Sequence, residues 1–440
     1  TSEAETSSEW YLSDEEWREF ERVGIFTKEE LAGALVNRYR AGFVKFHDAA
    51  SRVKAGPLWL NGVLDVSVNA EALLRLAADK IRACDGCAVV ERFRFARAYV
   101  EPQRVSIETE DARGTRRLFA AQLFVDGAGA DSAVTCQLNG GRSFTHVRPT
   151  VGTVARGFVR GRGTDTADFK TGELLVSTED ARDGRQLFWR GFAADNARDE
   201  YATHLFFYDA ADSPADKSLL SLFERYFEAL PSYKRAGAQW RVEQPLFGCA
   251  PAFHEGGGAV PPKVADERVL LINDAAGGLS LAALSGVRLH ARQLRRMTRL
   301  TDASLKKSLL DASSLAEMWG EGDASRVARA AGLAEFLRPT PQSAPAAVNE
   351  TLNAVASALH KLDERVRREL FQDRLSFGSL WKLLNQTVRL YPSVLARVRE
   401  HLGVRGGLSR AVNIFEAACV EWRVRKESHG EADAETETPS

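Results

Sequence analysis

The stretch from Arg268 to Leu294 constrains the fold of this chain more than any other. It begins with RVLLIN, a short and almost wholly apolar run, continues through DAAGGLS and ends in a long segment with helical spacing. A short apolar run predicts a buried strand, and a strand that leads directly into a helix is typical of α/β folds. The sequence therefore predicts a strand, a turn and a helix in succession, with Asp274 at the turn.

Asp274 is the candidate binding residue of this stretch. A carboxylate at a strand end can accept hydrogen bonds from sugar or ribityl hydroxyls, while the start of the following helix attracts a pyrophosphate or an electron-rich ring oxygen. Small residues after it would let a ligand approach the backbone: Ala275, Ala276, Gly277 and Gly278. The alternative is that Asp274 caps its own helix, and the residues alone leave both readings open.

Composition excludes several classes of protein. A chain of 440 residues suggests roughly two or three structural units. Its 59 basic and 60 acidic residues nearly cancel, so no global field favours nucleic acid or an anionic membrane. No stretch approaches the roughly 20 apolar residues of a membrane-spanning helix, and TSEAETSSEW is unlike a signal peptide. We expect no nucleic-acid partner and a cytoplasmic or plastid-stromal protein, soluble or peripherally membrane-associated, of undetermined oligomeric state.

The five cysteines are an odd number and fit a reducing compartment. Cys84 and Cys87 form a CxxC, but a redox or zinc site would need a thioredoxin-like context or a second pair, and the sequence offers neither. The favoured interpretation is two small residues on a helix-to-strand turn. The eight histidines have no metal-ligand spacing and no GxSxG occurs, so the sequence predicts neither a metal site nor a hydrolase.

Turn and cap signals divide the chain. Two S/T-x-x-E motifs, at Ser13 and Thr27, predict two short helices, and Asn69 caps a third. Three strands should follow, the last ending at Asp126. Many strands with one helix, near Ser218 to Ala229, predict an antiparallel sheet from about 147 to 261. Helical sequence fills the rest up to an acidic tail, which the composition predicts to be disordered.

Several of these segments resemble lycopene cyclases and geranylgeranyl reductases, which are FAD-dependent oxidoreductases. RVLLINDAAGGLSLAALSGVRLHARQL is similar to their second flavin-contacting segment, a strand followed by GDA(A/S)G, a Pro and a closely spaced Gly pair. EWYLSDEEWREFERVGIFTKEEL is similar to their EWNIS segment, LDVSVNAEALL to the stretch before the next helix, and LFVDGAGADSAV to their second glycine-containing loop. The segments occur in the same order over most of the chain.

The resemblance implies an α/β fold, an incomplete glutathione-reductase-like FAD-binding fold with an inserted antiparallel substrate domain and a helical C-terminal region. Its divisions would be 1–146 and 263–300 for FAD binding, 147–262 for substrate, 301–426 for the helical region and 427–440 for the tail. It also implies FAD as cofactor. The residues at the cofactor would be Asp274 to Gly278, Gly286, Arg288, Asp126, Gly127 and Gly129.

Two departures from the family pattern bear on this expectation. The family begins with a strand, a GxGxxG loop and a helix, and nothing before Glu9 supplies them; DGAGADS is followed by AVTCQLNGG, which is not a long amphipathic helix. In the second segment Asn273 replaces a Gly, Leu281 stands where the family has Pro, and Val287 and Arg288 end the glycine-rich stretch. Arg288 would either clash with the flavin or place a cation beside its pyrimidine oxygens.

The implied activity is a flavin-dependent oxidation or reduction of a hydrophobic small-molecule substrate of the isoprenoid or carotenoid class. Glu9 and Trp10 match the family's segment near the active-site face, whereas no catalytic acid or base can be nominated. The alternatives are a family relic that has lost FAD and acts as a binding or scaffold protein, and an incomplete gene model of an ordinary flavoenzyme. The aromatic residues predicted to wall the substrate site are Phe188, Trp189, Phe206, Phe207 and Tyr208.

Two helical stripes complete the predictions. Arg288, Arg292, Arg295 and Arg299 form a basic stripe that could bind a phosphate, although a solvated helix face is the favoured interpretation. Trp381, Leu384, Val388 and Tyr391 form an apolar stripe that is either an intramolecular cap, which is favoured, or a surface for peripheral contact with a membrane or a partner.

Overall fold

The computed structural model describes residues 9–141, 144–252, 263–276, 287–319, 335–340 and 342–397. The predicted cofactor residues Gly277, Gly278 and Gly286, like the predicted acidic tail, lie outside these ranges.

The N-terminal unit packs a small sheet against three helices. Both predicted capping boxes are present. The side-chain oxygens of Ser13 and Thr27 each accept a hydrogen bond from the backbone N–H three residues on, and the side chain of the glutamate at that position accepts one from the backbone N–H of Ser13 or Thr27. Asn69 caps the third helix as predicted. The elements are β1 (Glu9–Leu12), α1 (Asp14–Arg22), α2 (Lys28–Ala34), β2 (Leu35–Arg38), β5 (Val66–Asn69) and α3 (Ala70–Arg82), and the sheet has the order β1-β5-β2.

A parallel strand pair and a separate meander follow. The predicted third strand is two strands in the structure, because the chain leaves the meander after Ala121 and enters the parallel pair at Phe124. The meander is β6 (Phe93–Glu101), β7 (Arg104–Asp111) and β8 (Arg116–Ala121). The second sheet joins β9 (Phe124–Asp126), β16 (Ala265–Asp266) and β17 (Val269–Leu271), with β9 and β17 parallel. Helix α4 (Ala133–Leu138) follows β9.

The largest sheet has eight strands, and its composition corrects the prediction of a purely antiparallel sheet. Strands β3 (Ala41–Lys45) and β4 (Leu58–Leu60) come from residues before 147, and β3 pairs in parallel with β11 (Thr171–Val176). The predicted boundaries at 147 and 262 therefore do not enclose the whole sheet. Helix α5 (Leu219–Tyr233) covers one face and confirms the single predicted helix. The strands are β3 (Ala41–Lys45), β4 (Leu58–Leu60), β10 (His146–Phe158), β11 (Thr171–Val176), β12 (Phe188–Asp195), β13 (Glu200–Phe206), β14 (Asp209–Ala210) and β15 (Ala236–Pro251).

The remaining described residues are helical, as predicted. They form α6 (Val287–Lys307), α7 (Ala312–Ala316), α8 (Ala347–Lys361), α9 (Glu364–Phe371) and α10 (Phe377–Leu390). Helices α8 to α10 pack into the core of the large sheet through residues such as Leu352, Leu370 and Leu380. Tyr391 is buried while Trp381 is exposed, so the apolar stripe of α10 is a packed cap along only part of its length. Among the described helices, none combines the length and the apolar character needed to cross a membrane.

Candidate functional site

The two acidic residues predicted at the cofactor lie at the same edge of the parallel pair. Leu271 of β17 is in register with Asp126 of β9, and the N–H of Ile272 donates to the carbonyl of Asp126 at 2.9 Å. Because parallel strands present their carboxyl ends at one edge, Asp126 ends its strand where the turn bearing Asp274 begins. The structure thus places these residues together at the edge where α/β folds bind ligands.

The backbone conformation at Asn273 explains why an asparagine can stand where the family pattern has a glycine. Its backbone φ is +52°, a left-handed conformation that favours glycine and that asparagine tolerates better than most residues. The turn geometry therefore survives the exchange of glycine for asparagine. The side-chain oxygen of Asn273 is buried and accepts no hydrogen bond within the described structure.

Asp274 lies on a turn between a strand and a helix, in the predicted order. Asn273–Ala276 is a 3-10 turn of four residues, and the next described element, α6, begins at Val287. Ala275 and Ala276 are buried in a core shared with Met297 of α6, so their small size serves packing. The hydroxyl of Thr135 donates to the carbonyl of Ala275 at 2.8 Å. Asp274 itself stays half-buried at the mouth of this turn.

The Asp126 carboxylate is used within its own loop. It accepts hydrogen bonds from the N–H of Ala128 at 2.9 Å and from the hydroxyl of Ser132, which caps α4. Gly129 has a φ of +100°, which favours glycine, and a Cβ at Gly127 would lie 3.3 Å from the Ile272 side chain, which is a tight contact. Asp126, Gly127 and Gly129 therefore form a rigid turn beside the site, and they act through backbone position.

Arg288 does not reach toward a ligand. Its side chain is 1% exposed: Nε lies 3.1 Å from the Glu16 carboxylate, and the terminal nitrogens donate to the carbonyls of Phe371 and Val63 at 3.1 and 3.2 Å. Arg292 lies 2.5 Å from the other Glu16 oxygen. The Arg288 side chain thus belongs to an internal ion cluster, and it neither clashes with a flavin nor places a cation beside one. Because Arg292 joins the same cluster, the first half of the predicted basic stripe is not a solvent-exposed helix face.

Electrostatics keep that cluster ionised. Burial by itself would raise the pKa of Glu16, but the positive charges of Arg288 and Arg292 outweigh it and lower the pKa below its ordinary value. Glu16 also accepts a hydrogen bond from the N–H of Ser13 at 2.8 Å as part of the capping box. One carboxylate therefore joins α1 to α6 and completes a helix cap.

A second set of polar groups on α6 is buried and unsatisfied. The amide of Gln293 is 3% exposed, and neither its oxygen nor its nitrogen has a hydrogen-bond partner in the described part of the chain. The same holds for Nδ1 of His290, whose pKa is lowered by burial. His290 and Gln293 are one turn apart on α6, which packs against the turn containing Asn273. No motif or spacing in the sequence indicates Gln293 or His290 as a binding residue.

Unsatisfied buried polar atoms test whether FAD fits here. Each costs about 1–3 kcal/mol when left without a partner, so native structures seldom keep several together unless water or a ligand satisfies them. Asn273, on the turn with the half-buried Asp274, and His290 and Gln293, on the helix that contacts this turn, offer both donors and acceptors. This donor and acceptor set fits the hydroxyl-rich arm and the polar ring edge of a flavin.

Glu9 and Trp10 lie on β1, the strand of the N-terminal unit that lies next to the large sheet. Trp10 packs into the N-terminal core with Val287 and Leu294 of α6. Next to them, the ring of Tyr11 stacks on Phe192 of β12 with centroids 4.0 Å apart. Burial raises the pKa of Glu9 to about 8. A hydrogen bond with the Tyr11 hydroxyl acts to lower this pKa, and the negative charges of the large sheet act to raise it. Glu9 is thus a protonatable carboxyl at the junction of the two sheets.

The face of the large sheet that carries Phe192 also carries cationic and aromatic groups. Strand register places Arg190 opposite His204 and Phe188 opposite Phe206 on this face. The guanidinium of Arg190 lies 4.9 Å from the centre of the Phe206 ring and that of Arg148 lies 5.7 Å from it. Burial, with these two charges, lowers the pKa of His204 to about 3, so its imidazole is neutral.

The five predicted wall aromatics are all buried, but they divide between the faces of the sheet. Phe188 and Phe206 share the Phe192 face, and the ring of Tyr208 meets that of Phe206 edge-on with centroids 5.9 Å apart. Trp189 faces the other way and stacks on Tyr233 of α5, with centroids 4.6 Å apart. Trp189 is therefore part of the core under α5.

A third set of buried groups lies on the α5 face. The ammonium of Lys234 is fully buried, lies 2.6 Å from the Glu173 carboxylate, and donates to the carbonyls of Thr164 and Thr166 at 3.1 and 3.0 Å. It ties the end of α5 to β11. Within the described residues, no group of three or more His, Cys, Asp or Glu side chains could hold a metal ion.

Comparisons with known proteins identify the fold. No family model matches the chain. No curated protein matches it either. Among solved structures, a geranylgeranyl bacteriochlorophyll reductase-like protein from Thermoplasma acidophilum is similar with a TM-score of 0.57 and 12% identity, over 86% of this chain and 86% of that one.

Flavin-dependent enzymes of other kinds are similar as well. The halogenase PltM superposes with a TM-score of 0.53 and 10% identity, over 96% of this chain and 88% of that one. A flavoprotein/dehydrogenase from Cytophaga hutchinsonii does so with a TM-score of 0.52 and 12% identity, over 88% of each chain. PltM has also been solved in complex with FAD. At these identities the likeness shows a mixed α/β fold shared with FAD-dependent flavoproteins.

Proposed function

We propose that this protein is a flavin-dependent oxidoreductase that binds FAD at the carboxyl edge of β9 and β17. The observation that carries the proposal is the set of buried, unsatisfied polar atoms on the turn that bears Asp274 and on the helix that contacts this turn, which belong to Asn273, His290 and Gln293. A site that gathers donors and acceptors without pairing them is suited to a polar ligand. The fold shared with flavoproteins makes FAD the ligand of choice.

Each residue has a distinct part in this proposal. Asp274 accepts hydrogen bonds from the hydroxyls of the ribityl arm, and the amide of Gln293 pairs with a ligand edge that offers one donor and one acceptor. The rigid loop from Asp126 to Gly129 sets the position of the backbone next to the cofactor. FAD, when bound, supplies the hydride or electron transfer. The ion cluster of Glu16 with Arg288 holds α6 in place without touching the ligand.

The substrate in this proposal is a hydrophobic small molecule of the isoprenoid or carotenoid class. The support for this class is the apolar, aromatic interior that Phe188, Phe192 and Phe206 form on one face of the large sheet, where each is at most 1% exposed. The guanidinium groups of Arg148 and Arg190 over the Phe206 ring disfavour a cationic substrate on this face and favour one with an anionic or electron-rich end. Glu9, neutral near pH 7, is the carboxyl that can hold a proton at the sheet junction.

Visible absorption tests the cofactor proposal. The chain is expressed with whatever coding sequence precedes Thr1, and the purified protein is titrated with FAD while flavin fluorescence is followed. We expect a yellow protein whose denaturation releases FAD. Asp274→Ala should weaken FAD binding about 10- to 100-fold, because a hydrogen bond to a charged group contributes about 1.5–3 kcal/mol.

The matched control is Asp266→Ala, since Asp266 is an exposed acidic residue on the neighbouring strand. It should leave FAD binding unchanged. A colourless protein that stays colourless in excess FAD contradicts the proposal. Equal weakening by both substitutions contradicts the role of Asp274.

The second candidate function is that of a family relic which binds or scaffolds another molecule without FAD. It is favoured by the way the chain uses its own charged groups. The carboxylate of Asp126 is bound by its loop, and Arg288 is held by Glu16. In this case the colourless protein should bind a hydrophobic probe such as a long-chain isoprenoid alcohol.

A further inference from the structure

The turn between α3 and β6 holds two exposed thiols, those of Cys84 and Cys87. The N–H of Cys87 donates to the carbonyl of Cys84 at 3.1 Å, which closes the turn. Gly86 makes the closure possible with a φ of +79°, where no Cβ interferes. A closed turn brings residues three apart within the Cα separation that a disulfide requires.

The two thiols already interact. A hydrogen bond with the Cys84 side chain is the largest cause that raises the pKa of Cys87, followed by the charge on Cys84. The two thiol groups are thus within hydrogen-bonding reach of each other.

We propose that Cys84 and Cys87 form a reversible dithiol–disulfide site that exchanges with low-molecular-weight disulfides. One of the two cysteines, as its thiolate, attacks one sulfur of the small disulfide, a mixed disulfide forms, and one small thiolate leaves. The other cysteine then gives up its proton and attacks the protein sulfur of the mixed disulfide. The S–S bond between the two residues forms as the second small thiolate departs. Two protein thiols are oxidised and one small disulfide is reduced to two thiols.

The surroundings make this exchange slow and pH-dependent. The pair follows the carboxyl end of α3, where the helix dipole disfavours a thiolate. Arg82 does not compensate, because its guanidinium lies 3.1 Å from Asp79 and 2.9 Å from Glu91. We therefore expect the rate to rise about tenfold per pH unit below the pKa of the attacking thiol.

Peptide mapping of the full-length protein tests the proposal. The protein is incubated with oxidised glutathione, alkylated and digested with trypsin, which releases residues 83–92 as one peptide that contains both cysteines. We expect this peptide to lose about 2 Da, the mass of two hydrogens, and dithiothreitol to restore it. Cys84→Ser and Cys87→Ser should each trap one glutathionyl group on the cysteine that remains, because no second thiol is left to release it.

Cys249→Ser is the matched control, because Cys249 is exposed but distant in sequence from the pair. It should leave the oxidation of the 83–92 peptide unchanged. Two separate glutathionyl groups on Cys84 and Cys87 of the unmodified chain would overturn the proposal, as would a peptide that stays fully alkylated.

Discussion

Replacing Arg288 by methionine should destabilise the protein by about 3–5 kcal/mol, the usual consequence of removing one partner of a buried ion pair. Arg288 and Glu16 are each 1% exposed, so solvent cannot replace the lost contact. The substitution also leaves the carbonyls of Phe371 and Val63 without their guanidinium donor. Arg292 stays 2.5 Å from Glu16, which keeps the expected loss within this range.

Urea unfolding followed by tryptophan fluorescence measures this effect. Arg295→Met on the exposed part of the same helix is the control and should change the unfolding free energy by less than about 0.5 kcal/mol. Glu16→Gln combined with Arg288→Met should cost less than the sum of the single changes, because both remove one interaction. A loss below about 1 kcal/mol for Arg288→Met would refute the reasoning, since the ion cluster would then contribute nothing beyond a surface pair.

The same cluster predicts a pH dependence. The folded-state pKa of Glu16 is lowered from 4.5, so its stabilising contribution is present above pH 4.5 and is lost as the pH falls through the folded-state value. The unfolding free energy of the native chain should therefore drop below pH 4.5. Glu16→Gln should weaken that dependence, and an unchanged acid limb in the variant would argue against an ionised Glu16.

Three further perturbations test other parts of the structure. Burial and two nearby arginines lower the pKa of His204 from 6.5 to about 3. The unfolding free energy should therefore fall between pH 6.5 and about pH 3, by as much as about 1.4 kcal/mol per pH unit, and His204→Gln should flatten that slope in urea titrations. Lys234→Met leaves the buried Glu173 without its counter-ion and should cost about 3–5 kcal/mol by thermal or urea unfolding, with partial recovery on adding Glu173→Gln. Asn273→Ala should lose about 1 kcal/mol and Asn273→Gly none, because φ is +52°; equal losses in calorimetry would contradict the backbone argument.

Local sequence determined the elements whose stabilising contacts are close in the chain. The capping boxes at Ser13 and Thr27 and the cap at Asn69 form as predicted, because each depends on a side chain and a backbone group three residues away. The strand before Asn273 was predictable for a similar reason, since its apolar run is short and continuous. The resemblance to flavoproteins, and not a local pattern, assigned Asp126 and Asp274 to one site, and in the structure Asp126 ends its strand where the turn bearing Asp274 begins.

Only the tertiary structure decided which partners the charged side chains and the strands contact when those partners are distant in sequence. Glu16 appeared in the sequence as half of a capping box and Arg288 as part of a basic stripe, yet the two are 272 residues apart and share one buried contact. Likewise, β3 joins the large sheet through a parallel pairing with β11 that no local pattern announces. Periodicity identifies the face of an element, but the groups that cover that face come from distant segments, because burial is settled by the packing of the whole chain.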